Sequence, residues 1–175
     1  IVDSEEEADA IVINTCCFIH DAKEESVNTI LEMAEYKKTG TCKILIVTGC
    51  MAQRYKEEIT EEIPEVDAVL GTTSYGDIVK ALNEAEAGHV FREFKDINAL
   101  PEDSGRRVIT TGGHFGYLKI AEGCDKHCTY CIIPSLRGKF RSVPEERLLK
   151  QAEYMASQGV RELILSLIHI SEPTR

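Results

Sequence analysis

Short apolar runs alternate with amphipathic segments along the first ninety residues. Three runs rich in β-branched residues each predict a buried strand: AIVINTC at 10–16, KILIVTGC at 43–50 and VDAVLG at 66–71. The segments between and after them space their apolar residues for helices, which we place at 21–36, 52–62 and 74–86. Alternating strands and helices favour an α/β unit built on a parallel sheet.

The first predicted helix carries signals at both ends. Asp21 followed by Glu24 fits a capping arrangement at its start. KKTG, 37–40, would end it with two cations and a glycine.

Beyond residue 89 the pattern is less regular. NALPEDSGRR contains Pro, Gly, Ser and several charges, so we predict a linker over 101–112 between domains at 1–100 and 113–164. Three elements follow it: a strand in GYLKIAEG, a helix in VPEERLLKQAEYMASQG and a strand in RELI. A strand, a long loop, a helix and a strand in this order fit the first βα unit of a barrel or of an open α/β sheet.

Both ends of the sequence suggest that natural residues are missing. The chain opens on IVDSEEEADA without a methionine and reaches a strand almost at once, so we expect further residues upstream. LSLIHISEPTR, 165–175, resembles the translation of an adaptor used in sequencing libraries, and we expect natural sequence to stop at about Ile164. We therefore expect these 175 residues alone to be inactive.

The composition fits a folded protein of the cytosol. Hydrophobic residues make up 43% of the chain, which is enough for a sizeable core. No apolar run approaches the roughly 18 residues of a membrane span, and no signal peptide opens the sequence, so we expect a cytoplasmic protein without a membrane partner. Seven cysteines, three of them crowded together, favour metal or thiol chemistry over a disulfide framework.

The charge is unevenly distributed along the chain. Residues 1–110 hold 23 acidic and 11 basic residues, a net charge of −12, whereas residues 111–175 carry +2. Such a split suggests two units with different partners. A strongly acidic half repels nucleic acid and favours a basic partner, although a solvated acidic surface explains the charge equally well.

Two cysteines directly follow predicted strands. Cys16 and Cys50 end the first two strands, which one right-handed crossover helix makes parallel. Both should emerge at the carboxyl edge of the sheet, where they could ligate a metal or cluster together. The alternative is a buried structural role, which is common for cysteine. Cys17 should point elsewhere and Cys42 precedes its strand, so we expect both to be inert.

Three more cysteines lie in the loop after the predicted strand at 116–123. Cys124, Cys128 and Cys131 form C-x3-C-x2-C, and thiolates are the usual ligands of iron–sulfur clusters. Three ligands on a four-iron cluster leave one iron open to a substrate or cofactor, as catalysis at a metal requires. The alternative is zinc with His127 or a remote residue as the fourth ligand, but joint chelation by the adjacent His127 and Cys128 is strained.

With an aromatic residue, Tyr130, before its last cysteine, this motif resembles the radical S-adenosylmethionine enzymes. The resemblance implies that the open iron is chelated by the amino and carboxylate groups of S-adenosylmethionine, which is cleaved to a 5′-deoxyadenosyl radical. It also implies that Tyr130 lies along the adenine, with a core aromatic as the alternative.

Most of residues 1–164 resemble the methylthiotransferases within that group, through INTCCFIHDAKEESVNTILEMAEYK, VTGCMAQRY and YLKIAEGCDKHCTYCIIPSLRGKFRSVP. The resemblance implies an N-terminal α/β domain with a second [4Fe-4S] cluster on three cysteines, then the start of a partial (β/α) barrel. Cys16 and Cys50 match two of those ligands, and the third is expected on an earlier strand. Of two S-adenosylmethionine molecules used, one would methylate sulfur at that cluster. The other would make the radical that activates the accepting carbon.

The substrate is also suggested by resemblance. DAKEES, YLKIAEGC and CIIPSLRGKFRS are more similar to the branch that modifies an aspartate of ribosomal protein uS12 than to the branch that modifies adenosine in transfer RNA. The acidic first half agrees with a basic substrate. Arg137, Lys139 and Arg141 could meet phosphate, although a solvated basic loop or contacts to the cofactor carboxylate explain them equally well.

Two other classes compete with this interpretation. An iron–sulfur electron carrier would bind clusters without cleaving S-adenosylmethionine, and a zinc-stabilised binding module would contain zinc. Neither explains a separate pair of cysteines on another sheet. The sulfur source and the electron donor cannot be inferred from the sequence.

Overall fold

The computed structural model describes residues 2–100, 107–109, 111 and 113–166. The chain divides into two compact units at residues 101 and 102, and each has its own parallel strand pairing. Most of the predicted linker, 101–112, lies outside the described residues. No helix in the described part is both long enough and apolar enough to cross a membrane.

The first unit alternates strands with helices, as the sequence predicts. Its elements are β1 (Ala10–Thr15), α1 (His20–Thr39), β2 (Ile44–Gly49), α2 (Cys50–Glu62), β3 (Ala68–Leu70), α3 (Ile78–Glu86) and β4 (Phe91–Glu93). The strands form one sheet in the order β1-β2-β3-β4, and every neighbouring pair is parallel. The sequence did not predict β4, because Phe91, Arg92 and Glu93 form no apolar run.

The core of this unit is centred on β2, whose six residues are all buried. On one face of the sheet Ile44 and Ile46 pack with Leu70 of β3 and Ala81 of α3. Within the part of the chain that the structure describes, β1 pairs with β2 alone, and Val12 in its middle is exposed. The prediction that this first strand is buried therefore holds only in part, since Ile13 and Thr15 are buried whereas Val12 and Asn14 are exposed.

Helix α1 begins differently from the sequence prediction and ends as predicted. It starts at His20, after Ile19, and no side chain caps its first turn, so the predicted Asp21 cap is wrong. At the other end Gly40 N–H donates to the Tyr36 carbonyl at 2.9 Å.

The second unit contains the predicted strand, loop, helix and strand. Its elements are β5 (Phe115–Lys119), β6 (Ala121–Glu122), α4 (Ile133–Arg137), β7 (Arg141–Ser142), α5 (Glu145–Ser157) and β8 (Glu162–Ser166). β5 and β8 are parallel and are joined through α5, whereas β6 and β7 are antiparallel. This confirms an α/β fold with a parallel sheet for the first unit and a βα start for the second.

The strand predicted over 116–123 is broken at Ile120, where the chain changes its pairing partner. Ile120 N–H donates to the Ser166 carbonyl of β8 at 3.1 Å, while its own carbonyl accepts from Val143 N–H at 2.9 Å. β8 also extends past the predicted RELI to Ser166. It thus includes the first two residues of the segment interpreted as an adaptor, and residues 167–175 lie outside the described part.

Candidate metal centres

The first candidate centre lies at the carboxyl edge of the four-stranded sheet. Thr15 of β1 pairs with Gly49 of β2, so Cys16 and Cys50 are the next residues on two adjacent strand ends. Gly49 has φ +98°, and a methyl group on it would overlap the Thr15 backbone. The glycine lets the two strand ends approach closely, and the two cysteines follow directly at these adjacent ends.

Ser26 on α1 fixes the backbone of Cys16. Its hydroxyl accepts from Cys16 N–H at 2.9 Å and donates to the Cys16 carbonyl at 2.8 Å. Ser26 is buried in the same row of α1 as Ile30 and Ala34. Sequence reasoning missed this residue, although a serine four positions before Ile30 in an inward-facing row was the available signal.

The neighbouring cysteine has a different environment. Cys17 is 3% exposed, whereas Cys16 is exposed to solvent. Burial raises the pKa of the Cys17 thiol above its ordinary value, Cys50 adds to the rise, and Arg54 opposes it. Cys16 is therefore the accessible thiol of the adjacent pair, and Cys17 packs inside the unit.

Cys42, at the opposite end of β2, also packs inside the unit. It is buried, and its thiol donates to the Ile44 carbonyl at 3.4 Å. Burial raises the pKa of this thiol too, which favours the unreactive neutral form.

The start of α2 is tied to the loop after β3. Gln53 Oε1 accepts from Thr72 N–H at 3.1 Å, and both residues are buried. Gly71 leaves the space that the Gln53 side chain fills. Gln53 thus helps fix the helix turn that begins with Cys50, and no pattern in the sequence indicates this role.

The second candidate centre is the loop between β6 and α4. Cys124 is buried, its N–H donates to the Gly138 carbonyl at 3.0 Å, and its sulfur accepts from Lys126 N–H at 3.3 Å. Cys128 is exposed, and its carbonyl accepts from Cys131 N–H at 3.0 Å. One thiol is thus fixed at the base of the loop and the other two lie on a turn further out.

The start of this loop is held against the chain that follows α4, at a neck formed by Gly123 and Asp125 with Lys139 and Phe140. Gly123, with φ +75°, approaches the Lys139 backbone so closely that a methyl group would overlap its carbonyl. Asp125 Oδ1 accepts from Phe140 N–H at 3.0 Å. The β6–β7 pairing closes the same neck, so the chain returns after α4 to the place where the loop begins.

The ring of Tyr130 projects from the loop and is 88% exposed. The structure therefore does not place it in a core, which was the alternative interpretation for this residue. His127 is also exposed.

The basic residues after the loop make contacts within the protein. Arg137 Nη1 lies 3.6 Å from Glu122 Oε2. Arg141 Nη1 donates to the carbonyls of Arg137 at 2.8 Å and Lys139 at 2.9 Å. These contacts give Arg137 and Arg141 a role in holding the chain after the loop, which the sequence interpretation did not foresee.

The donor atoms fit iron–sulfur chemistry, although the side chains do not converge on one point. None of the seven cysteines forms a disulfide. Within residues 2–100, 107–109, 111 and 113–166, no three His, Cys, Asp or Glu side chains are grouped closely enough to hold a metal ion. The loop nevertheless offers three thiols in eight residues, one of which already accepts a backbone N–H bond of the kind that supports a thiolate ligand.

Two family models match the chain, and they cover different parts of it. The Uncharacterized protein family UPF0004 matches residues 1–71, and the Radical SAM superfamily matches residues 118–170. The first match contains Cys16 and Cys50, and the second contains the cysteine loop.

Curated relatives match nearly the whole chain. Proteins named ribosomal protein uS12 methylthiotransferase RimO are 63% identical in Lachnoclostridium phytofermentans, over 94% of this chain, and 52% identical in Clostridioides difficile, over 91%. A third, from Desulfitobacterium hafniense, is 47% identical over 94%. The chain spans 38%, 36% and 37% of the lengths of these relatives, respectively.

Proposed function

Because the chain belongs to the radical S-adenosylmethionine methylthiotransferase family, we propose that the whole protein transfers a methylthio group to the β-carbon of an aspartate in ribosomal protein uS12. The observation that carries the proposal is the high identity, over nearly all of the chain, to relatives named for that reaction. The two separate cysteine sites support it, because the reaction needs both a sulfur carrier and a radical generator.

In this proposal Cys124, Cys128 and Cys131 hold a [4Fe-4S] cluster in the loop of the second unit. When bound there, the cluster supplies the electron that cleaves S-adenosylmethionine. The chain's own part is to position the ligands and the cofactor. The neck anchors Cys124, the turn at Cys128 presents the other two thiols, and the exposed ring of Tyr130 is available to lie along the adenine.

Cys16 and Cys50 hold a second [4Fe-4S] cluster with a third cysteine from the whole protein. The close approach at Gly49 and the hydrogen bonds from Ser26 support this assignment, because they fix both ligand backbones before any cluster is bound. In this arrangement 1–100 is the methylthiotransferase domain, 101–112 the linker and 113–164 the start of the radical domain.

Charge supports a protein substrate over an RNA. Residues 1–110 carry a net charge of −12, which favours a basic ribosomal protein and repels phosphate. Arg137 and Arg141, the residues most suited to an RNA backbone, make contacts within the protein. We also place the protein in the cytoplasm, where uS12 is made, with a reductant and a sulfur donor that the chain does not identify.

The test is a reaction with both candidate substrates. The whole protein is reconstituted with iron and sulfide without oxygen, then given S-adenosylmethionine and reductant with uS12 or with transfer RNA. We expect mass spectrometry to find a methylthio adduct on uS12, and none on a uS12 variant whose aspartate is replaced by asparagine. An adduct on the RNA alone would support methylthio transfer as the reaction and would contradict uS12 as the substrate. No adduct and no cofactor cleavage would favour the electron carrier.

A further inference from the structure

A buried carboxylate lies at the base of the cysteine loop. Glu122 in β6 is 3% exposed and stands two residues before Cys124. Removing a carboxylate from water costs several kcal/mol unless it is paired and hydrogen-bonded. The buried charge of Glu122, two residues from a proposed metal ligand, therefore indicates a specific function.

Two cations and one backbone group surround this carboxylate. Lys119 Nζ and Glu122 Oε2 form a hydrogen-bonded ion pair, and Arg137 Nη1 lies 3.6 Å from the same oxygen. The other oxygen, Oε1, accepts from Gly123 N–H at 3.3 Å. Lys119 precedes the loop and Arg137 is the last residue of α4, so Glu122 links the strand before the loop to the helix after it through charge.

The neck is already closed without these charges. The β6–β7 pairing, the backbone contact at Gly123 and the bond from Cys124 N–H to Gly138 are all independent of the Glu122 side chain. A neutral glutamine could accept the same bond from Gly123. What only the carboxylate contributes is a negative charge, two residues before Cys124, that offsets two cations.

That charge is well placed to act on a cluster. A cluster becomes more negative when it gains an electron, so nearby cations favour the reduced form and nearby anions oppose it. Glu122 is almost fully buried and the side chain of Arg137 is 17% exposed, so solvent screens their fields only weakly.

We propose that Glu122 is a positioning residue that sets the reduction potential of the cluster on the cysteine loop, through the charge balance it keeps with Lys119 and Arg137. The inference rests on the proposed function, because it requires a cluster on Cys124, Cys128 and Cys131. It concerns how readily that cluster is reduced, and it does not depend on which substrate is modified.

The test is a redox titration of the reconstituted whole protein, followed by electron paramagnetic resonance. Glu122→Gln should move the potential of the loop cluster to a more positive value, because two cations lose their counter-charge. Lys119→Gln should move it to a more negative value, because one cation is removed. Glu122→Asp keeps the charge and should lie close to the wild type. Glu145→Gln, on an exposed carboxylate at the start of α5, is the control and should change nothing.

Opposite shifts from the two main variants are the decisive result, since a merely structural role predicts cluster loss with no consistent sign. An unchanged potential in Glu122→Gln at wild-type iron content would overturn the inference and leave the proposed function standing. If Glu122→Gln does not fold, Lys119→Gln decides alone, because that side chain is 45% exposed and tolerates replacement. A wild-type protein without a loop cluster would overturn both proposals.

Discussion

The two cysteine sites differ in what holds them in place. Cys16 and Cys50 follow strands of a parallel sheet whose central strand is completely buried, and Ser26 fixes one of them further. Cys128 and Cys131 lie on a turn of an irregular loop, where only the neck is fixed by close backbone contacts. The first site takes its geometry from the fold, and the second takes it from a few local bonds.

This difference matches the tasks that we propose for the two sites. A sulfur carrier needs ligands at constant positions, and strand ends in a packed sheet supply them. A site that must admit S-adenosylmethionine needs an accessible face, and a loop with exposed Cys128 and Tyr130 supplies that. The comparison predicts that the sites fail in different ways when they are altered.

The largest effect is expected from the loop. Cys128→Ala should reduce cleavage of S-adenosylmethionine by the whole protein by roughly a thousandfold or more, because the radical cluster loses one of its three ligands. The measurement is the 5′-deoxyadenosine formed under reducing conditions. Cys42→Ala, which removes a buried thiol in the first unit, is the control and should leave cleavage close to the wild type. Cleavage retained by Cys128→Ala would refute the assignment of the loop.

Substitution of Cys16 and of its neighbour Cys17 tests which of the two serves as a ligand in the first site. Cys16→Ala should abolish the methylthio adduct on the substrate and leave cleavage of S-adenosylmethionine, since only the sulfur-carrying cluster is affected. Cys17→Ala should keep the adduct and lower the free energy of unfolding by about 1 kcal/mol, because it removes only a buried packing group. Mass spectrometry of the product and urea denaturation report the two effects. The reverse pattern would make Cys17 the ligand.

The close approach of the ends of β1 and β2 can be tested at Gly49. Gly49→Ala should lower the free energy of unfolding of the first unit by about 2–4 kcal/mol, because the methyl group adds overlap with Thr15 to the strain of a positive φ. Gly88→Ala is the matched control, at φ +80° with open space around it, and should cost only about 1 kcal/mol. Urea denaturation gives both values, and equal losses would mean that close approach of the strand ends is unimportant.

The smallest effect concerns thiol reactivity. In cluster-free protein at pH 8, iodoacetamide should modify Cys128 before Cys17 and Cys42, because burial raises the pKa of those two thiols and leaves less thiolate. Their rates should keep rising at pH values above the ordinary pKa of cysteine. Peptide mass spectrometry over a pH series measures the order. Early modification of Cys17 would contradict the packing role assigned to it.

The sequence predicted most of the fold because its apolar runs and helical spacings agree with the final contacts. It failed where tertiary context decides. Val12 is exposed although it lies in an apolar run, and β4 is paired through its backbone although FRE forms no apolar run. The break at Ile120 reflects an exchange of partners between β8 and the chain before α5, which no local pattern encodes.

The two candidate sites were proposed from the spacing of the cysteines, but the residues that support them were not foreseen. The predicted parallel strands put Cys16 and Cys50 after adjacent strand ends, and the C-x3-C-x2-C spacing marked the loop. Ser26 is hydrogen-bonded to Cys16, 10 positions away in the sequence, and Glu122 is paired with Arg137, 15 positions away. These contacts form only when the chain is folded. A buried glutamate in a short strand reads as an ordinary polar residue until its two cations are seen.

The central claim is that this chain contributes to two independent clusters, and iron content tests it most directly. The reconstituted whole protein should contain about eight irons per chain, and Cys16→Ala and Cys128→Ala should each retain about four. Mössbauer spectroscopy of the two variants should show one [4Fe-4S] cluster in each, in different environments. About four irons in the wild type, or loss of all iron in either variant, would contradict two separate sites.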